Sequence, residues 1–86
     1  MLNPVEISVA NDLFHVEARY ADWQFYVSSD AWEIYAIADT LDDACRMFTE
    51  EAETKLRSDW VPMAADLINR IKAEWPEHLR RREWPE

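Results

Sequence analysis

Residues 38–57, ADTLDDACRMFTEEAETKLR, carry the strongest helix signal in the chain and decide how the rest is read. Thr40 is placed to cap the first turn with its hydroxyl, and Asp43, three residues on, to reach back as the acidic partner of a capping box. Asp42 and Asp43 also suit the positive end of the helix dipole. Leu41, Ala44, Cys45, Phe48 and Ala52 recur at helical spacing, so one stripe is apolar, while Asp42, Arg46, Thr49, Glu50 and Glu53 face water. Such a stripe needs a sheet to cover, and the residues before it supply one.

Outward from the helix toward the N-terminus, the period changes from helical to two. Trp32, Ile34, Ala36 and Ala38 fall on one face of a strand, with Glu33, Tyr35 and Ile37 on the other. Before it, Trp23, Phe25 and Val27 alternate with Gln24 and Tyr26 until Ser28-Ser29-Asp30 breaks the pattern. Phe14, Val16, Ala18 and Tyr20 alternate with His15, Glu17 and Arg19, the cleanest half-buried strand in the chain, and Val5, Ile7 and Val9 begin the series. Asn11-Asp12 and Ala21-Asp22 read as the intervening turns. Connections this short leave no room for crossovers, so the sheet is expected to be an antiparallel meander in chain order. The chain has no glycine, so every left-handed turn position must be filled by a residue with a Cβ, at a steric cost.

Toward the C-terminus, Ser58-Asp59 reads as a second cap with Pro62 in the first turn, where a missing N–H matters least. Val61, Ala64, Ala65, Ile68, Ile71 and Trp75 form the stripe of this second helix, widened by Met63 and Leu67, and Pro76 stops it. The expectation is an α+β fold: a four-stranded antiparallel β-meander followed by two α-helices packed on one face. Strand is predicted within 13–38 and helix over 41–57 and 61–75. Residues 1–76 form the single domain and 77–86 a charged tail. The tetrapeptide EWPE occurs at 74–77 and again at 83–86, two copies too few to define a structural repeat.

An 86-residue chain supports one core and leaves little room for a deep enclosed active site. No apolar run is long enough to cross a bilayer, so no membrane partner is expected. The N-terminus MLNPVEISV lacks the basic-then-apolar pattern of a signal peptide, and Cys45, the single cysteine, has no internal disulfide partner; both point to the cytoplasm. The net charge of −9 is uneven: residues 1–54 hold twelve acids against Arg19 and Arg46, while residues 55–86 hold seven bases against six acids. An acidic front repels phosphate backbones and attracts basic protein surfaces; the plainer reading is that it only keeps the chain soluble.

The chemistry-bearing residues do not gather into a known catalytic or ligand pattern. Arg80, Arg81 and Arg82 resemble a phosphate contact, but Glu77, Glu83 and Glu86 flank them, and direct nucleic-acid binding is not expected. His15 and His78 lie far apart and neither belongs to a ligand-spaced motif, so no metal is expected. Cys45 sits on an inward stripe, which suits a small core residue better than a nucleophile. Asp42-Asp43 and Glu50-Glu51 are adjacent pairs that point apart on a helix. Without glycine there is no phosphate-cradling loop, and no cofactor is expected.

Aromatics are in surplus, eleven in all. Phe14, Tyr20, Trp23, Phe25 and Trp32 fall on the inner set, and Tyr26 and Tyr35 on the outer. An outer face with Tyr26, Tyr35 and Ile37 among Glu17, Glu33 and His15 has the composition of a protein interface, aromatic anchors within a charged rim. Cross-strand aromatic pairs that merely stabilise the sheet would look the same. The passage Asp39-Thr40-Leu41-Asp42-Asp43-Ala44 is similar to the sheet-to-helix passage of HicB-type antitoxins. It covers under a tenth of the chain and lacks the glycine and the proline-rich link usual before it in that family. The functional expectation is a small acidic, non-enzymatic interaction module, an inhibitor or immunity-type protein that occupies a basic, nucleic-acid-handling protein surface through Glu17, Tyr26, Glu33 and Tyr35. The alternative is a structural or housekeeping domain that forms a homodimer through its aromatic sheet face or an edge strand.

Overall fold

A computed structural model describes residues 5–11 and 14–75, which form β1 (Val5–Ala10), β2 (His15–Ala21), β3 (Gln24–Ser29), β4 (Ile34–Ala38), α1 (Leu41–Lys55) and α2 (Val61–Glu74). The strands make one antiparallel sheet in the order β1-β2-β3-β4, followed by the two helices. The predicted α+β architecture, a meander backed by two helices, is the one observed. Asp12 of the first turn, His78, Arg80, Arg81, Arg82 and the remainder of 76–86 lie outside the described residues.

Period-two alternation sets the inner face. Val9, Val16, Ala18, Phe25, Val27, Ile34 and Ala36 are buried there, and the register aligns Ile7, Ala18, Val27 and Ala36 across all four strands. α1 lies against β4 and β3, α2 against β1 and β2, and the helices pack on each other. From α1 the core takes Leu41, Ala44, Cys45, Phe48 and Ala52, the stripe read from the sequence. α2 adds Ala64, Leu67, Ile68 and Ile71, with Trp75 just beyond it; Val61, Met63 and Ala65 are only half-buried. Each large side chain so buried contributes about 1.5–3 kcal/mol. At one end of the core Trp32 stacks between Phe14, 4.2 Å away, and Phe48, 6.5 Å away. Its Nε1–H meets no acceptor among the described residues, a polar cost accepted for the packing.

The helix ends show which local signals held. Thr40 is extended (φ −130°, ψ 155°), and its Oγ1 accepts from the Asp43 N–H at 3.1 Å. Asp43's own carboxylate turns to Arg46 at 3.5 Å, because an aspartate is short for the reciprocal half of a capping box. α1 stops at Lys55, two residues short of the prediction, where the Leu56 N–H closes on the Ala52 carbonyl. The predicted cap at Ser58-Asp59 is not formed. A turn from Arg57 to Trp60 runs directly into α2, Trp60 is the helical N-cap residue, and Asp59 grips Arg57 in a two-pronged ion pair at 3.0 and 3.1 Å.

Two turns also differ from the sequence reading. The β2–β3 hairpin turns on Asp22-Trp23, not Ala21-Asp22, and both residues are left-handed (φ 53° and 66°). Trp23 is therefore exposed at a hairpin tip and leaves the inner set in which its parity placed it. Glu33 is left-handed as well (φ 55°) and closes the loop 30–33, its N–H donating to the Asp30 carbonyl at 3.2 Å. Trp32 thus enters the core from a loop, and β4 begins at Ile34. Ser29, read as a pattern breaker, is a buried strand residue whose hydroxyl donates to the His15 carbonyl at 2.8 Å.

Candidate functional site

With both helices on one side, no described element covers the other face of the sheet. Register arranges it in rows perpendicular to the strands. One row runs Ser8, Glu17, Ser28, Tyr35; the next runs Glu6, Arg19, Tyr26, Ile37. Together they border a shallow depression of about 300 Å³.

Glu17 stands exposed in the middle of β2, directly opposite Ser28, with Tyr35 one strand further along. Tyr26 lies in the adjacent row, half-buried because the Arg19 guanidinium covers its ring at 4.8 Å from the centroid. That contact is a cation–π pair, and it covers one face of the ring. Tyr35 is far more exposed, at 64%, and Ile37 beside it is 47% exposed. The Tyr35 hydroxyl donates to Asp30 Oδ1 at 3.2 Å. This bond raises the phenol above its ordinary value of 10.0, with smaller contributions from lost hydration and from the negative charges of Asp30 and Glu33. Among the four residues singled out from the sequence, Glu17, Tyr26 and Tyr35 share the open face. Glu33 stands apart in the loop at its rim, close enough for its charge to reach Tyr35.

Three further residues escaped the sequence reading, Arg19 and Asp30 at this face and its rim and Met47 on the helix side. Arg19 counted only as a polar alternate, although its register opposite Tyr26 follows once the hairpin is placed. Asp30 was part of a turn. Met47 is 40% exposed on α1, and an apolar residue off the buried stripe was the available signal. A second depression, about 690 Å³, lies between the helices and is lined by solvated charges such as Arg46, Glu50, Glu53 and Lys72. Arg46 there pairs with Asp43 at 3.5 Å and Glu50 at 3.4 Å, exposed contacts of little energy.

Among the described residues no group of three or more His, Cys, Asp or Glu is placed to hold a metal ion, and no helix is long and apolar enough to cross a membrane. Cys45 is buried. No protein-family model, curated protein or solved structure matches the chain.

Proposed function

We propose that this chain is a small acidic, non-enzymatic interaction module whose open sheet face takes up a basic surface of another protein, in the manner of an inhibitor, immunity protein or antitoxin. The observation that carries the reading is the composition of that face. Exposed Tyr35 and Ile37 and the half-buried Tyr26 stand as apolar anchors, while Glu6, Glu17, Asp30 and Glu33 ring them with negative charge against the single Arg19. Anchors of this kind supply short-range binding energy, and a rim of one sign supplies steering and partner choice. The charge of −9 acts in the same direction over longer distances. A partner whose own surface evolved for nucleic acid would present the complementary sign. The cytoplasm is the proposed setting, in keeping with the lone buried thiol.

The test is capture from a native lysate with the wild-type chain and the Glu17→Lys, Glu33→Lys double variant side by side, followed by association kinetics on what is enriched. One basic protein should be retained by the wild type and lost by the variant. Its association rate should fall roughly tenfold or more between low and high salt, since charges are screened beyond about 10 Å at 0.1 M. Tyr26→Ala and Tyr35→Ala should instead speed dissociation. A partner that ignores both charge reversals and binds with salt-independent rates would overturn the proposal. Self-association in equilibrium sedimentation would favour the homodimer in its place.

A further inference from the structure

Among the described residues β4 pairs only with β3, so alternate N–H and C=O groups of Ile34–Ala38 point away from the sheet. This strand, IYAIA, has no charge, no proline and no bulge residue to blunt that edge. The opposite edge differs. β1 carries Glu6 at its exposed side, and the Arg70 guanidinium donates to the Ala10 carbonyl at 2.9 Å.

Exposed apolar residues flank the β4 edge both above and below. Tyr35 and Ile37 stand on the open face. On the helix side, α1 returns antiparallel beneath β4 after a two-residue connection, and Lys55 Nζ donates to the Glu33 carbonyl at 3.0 Å, which fixes the end of the helix beside the start of the strand. Met47 lies eight residues back, about 12 Å along the axis, the length of three to four residues of a strand running alongside. The flank of α1 toward α2 is taken by Asp42, Arg46, Thr49 and Glu53. Met47 is on the other flank, in the same ridge as Glu51 and Lys55. Of the large hydrophobic residues that are exposed among those described, Tyr35 and Ile37 belong to β4 itself and Met47 to the flank of α1 turned away from α2, while Trp23 stands at the β2–β3 hairpin tip.

We infer that the free edge of β4 is a docking site for an extended segment of the basic partner, which adds as a fifth strand with apolar residues at its centre and Lys or Arg toward both ends. Backbone bonds to β4 would supply the pairing, Tyr35 and Ile37 would meet one set of alternate side chains, and Met47 the other. Charge selects this occupant over a second copy. Asp30, Glu33 and Glu51 surround one end of the edge against Lys55, and Asp39 stands at the other. Antiparallel self-pairing in the register that sets Tyr35 against Ile37 of the second copy would put Glu33 opposite Asp39 at both ends, like charges face to face. The inference rests on the proposed acidic interaction role and names its mode of recognition.

The probes are three nine-residue peptides of alternating valine and threonine: one with lysine at both ends, one with glutamate at both ends, and the lysine peptide N-methylated throughout its middle. Exchange of the β4 amides is followed by NMR on the full chain. The lysine peptide should slow the outward β4 amides at least tenfold, the glutamate peptide should bind at least tenfold more weakly, and N-methylation should abolish the effect. Equal binding of lysine and glutamate peptides would overturn the acidic-recognition reading itself. Equal binding of the N-methylated peptide, or perturbation of Glu17 and Tyr26 with β4 amides unchanged, would overturn the edge inference alone. Failure of the lysine peptide to bind overturns it as well. So does protection of β4 in the peptide-free protein, by a second copy if it grows with concentration and by the chain's own residues if it does not.

Discussion

Replacing Glu33 with glycine should stabilise this protein, and the sign of the change separates two accounts of the residue. Alternation along the chain places Glu33 in a strand, where glycine costs about 0.5–1 kcal/mol. The structure instead holds it left-handed at φ 55° at the end of a four-residue loop. A left-handed residue with a Cβ costs roughly 1–2 kcal/mol, and glycine returns about 0.5–1 kcal/mol of that through its greater freedom when unfolded. The net expectation is a gain of about 0.5–1 kcal/mol. Little else changes, because the side chain is exposed and the two bonds made here, to the Asp30 carbonyl and from Lys55 Nζ, use the backbone. Glu33→Val should move the other way by about 1 kcal/mol or more, since a β-branched residue resists positive φ. Urea unfolding followed by tryptophan fluorescence would register the glycine gain as a midpoint shift of roughly half a molar, or about 3–6 °C in Tm. A glycine variant that unfolds earlier, together with a valine variant that unfolds later, would refute the loop conformation and return Glu33 to the strand.

Cys45, buried on the stripe of α1, should react slowly with a thiol reagent under native conditions, and Cys45→Ala should cost about 1 kcal/mol while leaving partner binding unchanged; fast labelling with loss of binding would contradict this. Asp30→Asn should lower the titration midpoint of Tyr35 toward 10.0, read by phenolate absorbance, because the bond to Asp30 is the largest cause of its elevation. The sign for stability follows: the bonded neutral phenol helps the fold below 10.0, and that help is lost as pH rises through the higher folded-state value.

The elements were legible because both periods are clean. Val16, Ala18 and Tyr20 alternate with exposed His15, Glu17 and Arg19, and Leu41, Ala44, Cys45, Phe48 and Ala52 return at helical spacing, with the buried and exposed sides as read. The turns were not legible, for a physical reason. Without glycine the left-handed positions carry Asp22, Trp23 and Glu33; Asp22 marked a turn, but Trp23 and Glu33 carry no turn signal, so the hairpin was placed one residue early and Glu33 was left in a strand. Parity then continued through the hairpin and placed Trp23 in the core. Glu17, Tyr26 and Tyr35 fall on the open face as read, because outward parity alone determines it. Arg19 over Tyr26 and Met47 beside β4 were missed because they depend on register and on the direction in which α1 returns.

The packing of each helix on its own pair of strands gives the molecule a seam. β3, β4 and α1 are consecutive in the chain and meet one another, whereas α2 reaches back to β1, the Arg70 bond to Ala10 spanning 60 residues. Loop closure makes that last contact the slow one to form, since its entropy must be met before its burial is gained. Folding rates should show this, with Ile34→Val slowing folding and Ile71→Val mainly speeding unfolding; the reverse pattern would place the nucleus across the seam. The half of the molecule that bears the free edge of β4 is thus complete as soon as α1 exists, and α2 acts afterwards as the clasp that holds β1 and β2 to it.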